Sequence, residues 1–539
     1  MALRRARRGF RLRVPTQLLI APQSIVPGDP VTARDIAAGQ VVLAGRTVQA
    51  RGQSIFAVQP PNQAWLRTFF GFSWLADFRD VEEPALRAHA RALVAEWMEN
   101  RDLSRHPSAR QAEVAAERLQ AFLTHSPLLL AEADHAFYHR FMRELARTAF
   151  ELEAAARRGR TGLAQLSAAI SFALYTLCAE TADNDWKRAS KLLAQALTGN
   201  ILADGTPISR NPHDAVMLAA RLLPLRTAYT ARGRTAPPQL QTALDRLFGF
   251  MRLMRHSSGE LALFNGMGAT EFDLTGAILQ FDDARGGPPA VSAPFGGYHR
   301  LERGDMTVLV DTGAAPPRHA AYAAHAGLAS FEVSAGGERI IVNCGAPPAG
   351  LADFREAVRE TSAHSALVFS GQSTARFKPV TAEDGLTQRA LLDPRDRPRF
   401  ERLADGPEDI LVIANEGALA ARGLLHERSL TLAADGTVLR GEDMIQTDAK
   451  RSRSGLGVIE LRFHLHPRVT PTADVEAGIV RLRAGNGSRW EFEAGGLPIA
   501  IEESVFFGGL ASQRRTYQLV VQFPAADVTV IWSLRREAG

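Results

Sequence analysis

The chain contains very little cysteine. Cys178 and Cys344 are the only two among its 539 residues. Two cysteines so far apart cannot form the disulfide framework of a small secreted domain, and neither belongs to a CxxC pair of the kind that holds zinc. We expect both to be buried free thiols, since an unpaired cysteine usually packs as a small apolar side chain.

Long apolar runs are also missing. No uncharged apolar stretch reaches the roughly 18 residues that a membrane-spanning helix needs, so no transmembrane segment is expected. Hydrophobic residues make up 46% and charged residues 22% of the chain, which is typical of a globular protein. A length of 539 residues exceeds one ordinary core and predicts about two or three domains.

Lysine is scarce: it occurs only at positions 187, 191, 378 and 450, and the other Lys and Arg positions are all arginine. The formal net charge is +5. A basic surface suits an anionic partner such as nucleic acid, lipid or an acidic polysaccharide, and the alternative is an arginine-rich surface that only faces solvent. No nucleic acid is expected, since the basic residues do not form a recognisable nucleic-acid module with aromatic ones.

Residues 1–64 are interpreted as an N-terminal arm with short strands, such as Val41–Val48. Six arginines and no acidic residue fall within the first 13 positions. Only the short run Leu18–Pro22 follows, which is too little for the apolar region of a secretory signal, so we predict no cleavable signal. The basic segment is expected to be disordered or bound to an acidic surface.

A helical period dominates residues 65–285. Two of the apolar series are Leu86, Leu93, Val94 and Trp97, and Phe137, Phe141, Leu145 and Phe150. This spacing predicts amphipathic helices joined by short turns. Successive helical hairpins build a solenoid or an incomplete α/α toroid.

Residues 290–539 show short runs with a period of two, separated by turns that contain glycine. Examples are Thr307–Asp311, Arg339–Val342 and Tyr517–Phe523. Many regularly spaced strands predict two packed antiparallel sheets, and no helix alternates with them as in an α/β fold. The predicted fold class is therefore α+β multidomain, with an N-terminal incomplete α/α toroid followed by a C-terminal antiparallel β-sandwich.

Six segments occur in the order in which a known family has them. They are Phe70–Leu75 (FGFSWL), Asp204–Pro212 (DGTPISRNP), His325–Glu332 (HAGLASFE), Arg339–Gly345 (RIIVNCG), Arg359–Ser365 (RETSAHS) and Arg462–Pro467 (RFHLHP). Together they resemble the heparinase II/III-like polysaccharide lyases, from about residue 65 to the C-terminus. The resemblance implies an α/α toroid, a layered β-sandwich and a cleft between them, in a divergent member of the family.

The resemblance also implies a reaction, β-elimination at a uronic acid unit of an acidic polysaccharide. A base removes the C5 proton and the 4-linked oxygen leaves, while the site neutralises the neighbouring carboxylate to stabilise the enolate-like charge. A base and an acid, commonly Tyr and His, must lie within hydrogen-bond reach. No redox cofactor is required.

Three catalytic positions of the family are replaced in this chain. The Asn-His pair that neutralises the carboxylate corresponds to the stretch 161–165, which is TGLAQ. The family's Tyr corresponds to Asp214 or Ala215, and a further His corresponds to Ala323. These departures favour, as the alternative to an active lyase, a protein that keeps the fold and has lost the reaction.

Other polar residues supply candidate site groups. Arg210 could clamp a carboxylate with two parallel hydrogen bonds. The candidate catalytic residues are Tyr322, His319, His325 and Arg210, and the candidate substrate-binding residues are Arg210, His213, Tyr298 and Arg359. A structural role is the alternative for each of them.

The resemblance implies a zinc site at His325, Asn343 and His364. Asn343 stands where the family has an Asp ligand, and zinc prefers carboxylate, imidazole or thiolate to an amide oxygen. The alternative is a pair of histidines that hydrogen-bond beside Asn343 without a metal.

The first functional hypothesis is therefore a heparinase II/III-like lyase acting on a uronic-acid-containing polysaccharide. The second is a non-catalytic glycan-binding or scaffold protein with the lyase fold. A third is a protein whose arginine-rich arm binds anionic lipid or RNA. The polysaccharide, the oligomeric state and the localisation stay open.

Overall fold

A computed structural model describes residues 13–25, 27–159, 162–381, 387–391, 398–403, 406–415, 423–447, 457–509 and 513–537. Most of the basic N-terminal segment and position 161 therefore lie outside the described residues. Both cysteines are buried free thiols, as expected. Within the described part of the chain, none of the helices combines the length and apolar character that crossing a bilayer requires.

The chain forms two compact units. The helical unit comprises Met1–Asn200 and Leu218–Leu244, and the sheet unit comprises Ile201–Met217 and Asp245–Gly539. The predicted domains placed everything up to residue 285 with the helices, whereas segments 201–217 and 245–285 group with the sheets. Arg300 shows one reason, because its guanidinium donates to the carbonyls of Leu253 and Arg255 at 3.3 and 2.6 Å.

Twelve α-helices lie among the described residues. They are α1 (Pro30–Ala37), α2 (Gln63–Gly71), α3 (Pro84–Glu99), α4 (Arg101–Arg105), α5 (Ala112–Thr124), α6 (Ser126–Leu130), α7 (His135–Arg158), α8 (Leu163–Cys178), α9 (Asp183–Asn200), α10 (Pro212–Ala231), α11 (Pro238–Leu253) and α12 (Phe272–Leu279). Side-chain caps fix several of their starts: Asn62 accepts from the N–H of Trp65 at 2.8 Å, and Asp134 from that of Phe137 at 2.7 Å.

The apolar series predicted for the helices mostly face the core of the helical unit. Leu93, Val94 and Trp97 of α3 are buried, as are the first three members of the α7 series. Phe150 is an exception, with 52% of its surface exposed. It follows Phe141 by nine residues, which at about 100° per residue places it on the opposite face of α7.

The strands form two large antiparallel sheets and two hairpins. They are β1 (Gln40–Leu43), β2 (Arg46–Gln49), β3 (Ser292–Ala293), β4 (Tyr298–Arg303), β5 (Met306–Asp311), β6 (Phe331–Ala335), β7 (Glu338–Val342), β8 (Leu367–Phe369), β9 (Phe377–Thr381), β10 (Thr387–Leu391), β11 (Arg399–Leu403), β12 (Asp409–Asn415), β13 (Leu424–Leu432), β14 (Val438–Thr447), β15 (Val458–Leu465), β16 (Thr470–Asp474), β17 (Ile479–Arg483), β18 (Arg489–Glu493), β19 (Ile499–Phe506), β20 (Arg514–Pro524) and β21 (Val528–Arg536).

The two large sheets share one hydrophobic core. The first sheet has the order β19-β20-β15-β7-β6-β5-β4-β3, with β8 also paired to β15, and the second has the order β11-β12-β13-β14-β21-β18-β17-β16. Phe331 of the first sheet stacks on Trp532 of the second with ring centroids 5.4 Å apart. The predicted fold class, a helical N-terminal region followed by an antiparallel β-sandwich, is confirmed.

One edge of the first sheet gathers the polar segments of interest. Because β4 to β7 alternate in direction, the start of β4, the end of β5, the start of β6 and the end of β7 meet at the same edge. Segments 312–330 and 343–366 leave the sheet there. The predicted site residues of the β half lie on these segments or at these strand ends.

Candidate functional site

Arg210 lies inside the sheet unit, and its donors are committed to protein acceptors. Its Nε donates to the carbonyl of Gly296 at 2.7 Å, and its Nη1 donates to those of Gly313 and Ala314 at 3.2 and 3.0 Å. Its Nη2 donates to the carboxylate of Asp311. Only 6% of the residue is exposed, so the guanidinium is held by the fold and does not face solvent.

Tyr298 and Asn265 complete this buried network. The Tyr298 hydroxyl donates to the carbonyl of Arg210 at 2.5 Å, and its ring lies 4.8 Å below the guanidinium. Asn265 donates to Asp311 at 2.9 Å and to the Tyr298 hydroxyl at 2.7 Å. Burial raises the pKa of Asp311, although Arg210 opposes the shift. Burial also raises the pKa of Tyr298, so its phenol stays protonated and is not available as a base.

The space beside the network is small. Arg210, Asp311 and His325 line a cavity of about 20 Å³ together with Thr374 and Leu391. This is room for about one water molecule. Gly313 closes it tightly, because a Cβ at that position would lie 2.2 Å from Nη2 of Arg210. A sugar ring does not fit the space that these residues enclose.

His325 and His364 form a buried pair, with Nδ1 of the first 3.1 Å from Nε2 of the second. Nδ1 of His364 lies 2.9 Å from the carbonyl of Glu360, so that nitrogen carries the proton and Nε2 is the acceptor. His325 therefore donates to His364. Burial lowers the pKa of both rings, to about 4 for His364, so the pair is neutral at pH 7.

Asn343 lies beside the histidine pair and is itself fully hydrogen-bonded. Its Nδ2 donates to Oε1 of Glu332 at 3.0 Å, and its Oδ1 accepts from the N–H of Ser365 at 2.9 Å. Glu332 in turn lies 2.8 Å from Nε2 of His256, and both of these side chains are fully buried. The carboxylate oxygens of Glu332 thus have hydrogen-bond partners in His256 and Asn343.

The predicted zinc ligands do not fit a zinc ion. Structural and catalytic zinc sites take at least three side-chain ligands from imidazole, thiolate or carboxylate. Here the third position is an amide whose oxygen is already an acceptor. Among the described residues, no group of three or more His, Cys, Asp or Glu side chains is arranged to hold a metal ion.

The other predicted site residues are distributed over the sheet unit. Arg359 is buried, donates to the carbonyl of Ala324 at 3.0 Å and pairs with Glu356 at 3.1 Å. His213, near the start of α10, is half-buried. His319 and Tyr322 lie half-buried on segment 312–330. Their roles in catalysis or binding stay predictions.

The replaced catalytic positions carry other contacts. Asp214, which follows the turn where the family has Tyr, accepts from the Ser209 hydroxyl at 2.5 Å. Ala323 is exposed. Gln165 donates to the carbonyl of Ala156 within the helical unit at 3.3 Å. None of these three residues supplies an imidazole or a phenol.

Sequence reasoning missed Asp311, Asn265 and His256, each of which is central to a buried network. Asp311 is the last residue of β5, where a carboxylate at the end of an apolar strand is a detectable signal. Asn265 and His256 stand alone in the sequence, and no spacing marks them. A further network of Asp443 with Arg428 and Trp532 lies in the sandwich core.

The sequence and the fold of this chain are similar to those of known proteins. Residues 285–533 match the model of the heparinase II/III-like C-terminal domain. A solved heparinase III has a TM-score of 0.74 at 12% identity, covering 100% of this chain and 89% of that one. Heparan sulfate lyase HepC from Pedobacter heparinus has a TM-score of 0.62 at 12% identity, covering 95% and 84%. Both likenesses concern the fold.

A relative of similar length is FtsZ-localized protein C of Caulobacter vibrioides (strain NA1000 / CB15N). It is 27% identical over 549 residues, covering 97% of this chain and 91% of the relative. The six ordered segments, the family model over the β-sandwich and the fold agree. The β-sandwich of this chain matches the heparinase II/III-like C-terminal domain, and the chain as a whole is similar in fold to heparinase III.

Proposed function

We propose that this chain is a non-catalytic scaffold protein that retains the lyase fold and associates with the FtsZ assembly of its own cell. The observation that carries the proposal is the state of Arg210. The one cation predicted to neutralise a substrate carboxylate is buried and bound to four protein acceptors. A polysaccharide could not reach it without breaking a buried ion pair, which costs about 3–5 kcal/mol.

The replacement of the acid and base supports the same proposal. Elimination from a uronate needs a base, an acid and a group that neutralises the carboxylate. The positions that supply them in the family carry Asp214 or Ala215, Ala323 and the TGLAQ stretch in this chain. The buried pair His325 and His364 has lowered pKa values and is engaged within itself.

The partner is suggested by the relative from Caulobacter vibrioides, whose name describes it as localized to FtsZ. The match extends along 97% of this chain, so it includes the helical unit as well as the β-sandwich. Fold alone does not determine function, and a shared partner is a better guide here than the reaction of lyases at 12% identity.

The first test is co-sedimentation of the purified full chain with FtsZ from the same organism. We expect the chain to pellet with FtsZ polymerised in GTP and to stay in the supernatant with FtsZ in GDP. A chain that remains soluble with polymers at micromolar concentrations would contradict the proposal.

The lyase hypothesis is tested in parallel by incubation with heparan sulfate and other uronate-containing glycans. Product formation is followed by the ultraviolet absorbance of the unsaturated uronate, and a heparinase III serves as the positive control. We expect no rise above the rate without protein. A rise in absorbance would establish that the chain is a lyase. The half-buried His213, His319 and Tyr322 would then be the candidate residues for the reaction.

A further inference from the structure

The helical unit carries a second histidine pair, at the start of α7. His135 is the first residue of that helix and His139 follows one turn later. Their Nε2 atoms lie 2.9 Å apart, and their ring centroids lie 4.1 Å apart. Both residues are exposed. Side chains four positions apart on a helix lie on the same face, so this spacing brings the two ring nitrogens together.

We propose that His135 and His139 form a surface site for a divalent transition-metal ion such as Zn²⁺. Two imidazoles at this helical spacing are a known way to present two ligands to zinc. The ring nitrogens of a tetrahedral zinc site lie about 3.3 Å apart, given Zn–N distances of about 2.0–2.1 Å. A small side-chain rotation brings the present pair to that separation.

The contact between the two rings contributes little to the stability of the fold. A direct hydrogen bond requires one ring to be a donor and the other an acceptor at Nε2. On an exposed helix such a bond competes with water and contributes little to stability. A metal ion uses both nitrogens as acceptors and replaces this weak contact with two coordination bonds.

The charges around the pair permit a cation. The start of a helix carries partial positive charge, which disfavours a cation. The carboxylate of Asp134, which caps α7 beside His135, offsets it. Two nearby arginines are already paired, Arg91 with Glu132 at 3.6 Å and Arg140 with Glu99 at 3.2 Å. The remaining coordination positions are open to water or to a carboxylate of another molecule.

Nitrogen ligands determine the class of ion. Imidazole favours Zn²⁺, Ni²⁺ and Cu²⁺, whereas Mg²⁺ and Ca²⁺ require oxygen ligands. The site is separate from the His325 and His364 pair, which belongs to the sheet unit and is buried.

The test is titration of the full chain, without a polyhistidine tag, with zinc chloride at about pH 7.5, where ligation by neutral imidazole is favoured. Heat of binding and native mass spectrometry report affinity and stoichiometry. We expect one Zn²⁺ per chain, and roughly tenfold or greater loss of affinity in each of His135→Ala and His139→Ala.

Two further variants make the test specific. His89→Ala is the matched control, since His89 is a half-buried histidine on α3 with no second histidine one turn away. The double variant His135→Ala, Arg143→His recreates the spacing one turn further along the exposed face, and we expect it to recover zinc binding. Affinity that is unchanged in either single variant, or not recovered in the double variant, would overturn the proposal.

Discussion

Two histidine pairs, one in each unit, make nearly the same contact in opposite surroundings. The ring nitrogens of His325 and His364 lie 3.1 Å apart, and those of His135 and His139 lie 2.9 Å apart. The first pair is buried, and the His364 ring also contacts the carbonyl of Glu360, while the second pair is exposed. Burial makes the first pair a neutral part of the core, and exposure leaves the second available to an ion.

The difference teaches that residue type and contact distance do not define a site. The buried pair lies next to Asn343, Glu332 and His256, whose polar atoms satisfy one another. A ligand could enter only by displacing these bonds. The exposed pair has no such enclosure. Variants that alter burial, charge or pairing should therefore act strongly in the sheet unit and weakly on α7.

The largest effect is expected for Arg210→Met. Removing the guanidinium leaves the buried carboxylate of Asp311 without its cation, which should lower the free energy of unfolding by about 3–5 kcal/mol. Urea unfolding of the full chain measures it. Arg143→Met, at an exposed position on α7, is the control and should change stability by less than about 0.5 kcal/mol. Equal effects of the two variants would contradict the assignment of Arg210 to the core.

A smaller loss is expected for Asn343→Asp, which restores the residue that the family has. The new carboxylate would face Glu332, to which Asn343 now donates at 3.0 Å. An additional buried charge should cost about 3 kcal/mol in unfolding free energy. Added Zn²⁺ should stabilise this variant more than the original chain, since the new carboxylate would complete a set of three ligands with His325 and His364. A variant as stable as the original chain would refute this account of Asn343.

His299 tests how a buried position changes the pKa of an imidazole. It is 2% exposed, neither ring nitrogen has a hydrogen-bond partner among the described residues, and its ring packs on Phe400 at 4.4 Å. Burial, aided by Arg402 and opposed by Asp409, lowers its pKa to about 4. Between pH 6.5 and pH 5 the unfolded chain gains a proton that the folded chain does not, so stability falls as pH falls.

The size of that loss is about 2 kcal/mol at pH 5. His299→Phe removes the titrating group and keeps a ring against Phe400. We expect this variant to have a flatter stability profile between pH 6.5 and pH 5, measured by urea unfolding at each pH. An unchanged slope would show that other groups carry the acid sensitivity.

The smallest effects concern the two pairs directly. His325→Gln should cost about 1 kcal/mol, because it disturbs a buried hydrogen bond. His139→Gln should change stability by less than about 0.5 kcal/mol without added metal. Thermal unfolding of both variants compares them. A larger loss of stability in His139→Gln than in His325→Gln would contradict the assignment of the His135 and His139 pair to the surface and of the His325 and His364 pair to the core.

The architecture could be predicted from the sequence because period and motif order agree. The period of two in segments such as Tyr517–Phe523 gave strand β20, and the helical period gave α3 and α7. The domain boundary near residue 285 stays a prediction: the family model begins there, while the compact units group residues 245–285 with the sheets. Contacts such as those of Arg300 with residues 253 and 255 join distant segments, and no local pattern records them.

The state of the candidate site was harder to predict. An arginine in a turn is normally exposed, and only its distant partner Asp311 explains why Arg210 is buried. Phe150 was assigned to the core face of α7 with the other apolar residues, although its nine-residue separation from Phe141 places it on the opposite, exposed face. The convergence of His135 with His139 was present in the spacing, but neither residue belongs to the family's motifs.

The close approach of Gly313 to Arg210 has a consequence for the evolution of this lineage. A side chain at position 313 and the arginine at position 210 exclude each other, because the first Cβ atom would overlap the guanidinium. A homologue that keeps the arginine at position 210 in this place should therefore keep a glycine at position 313.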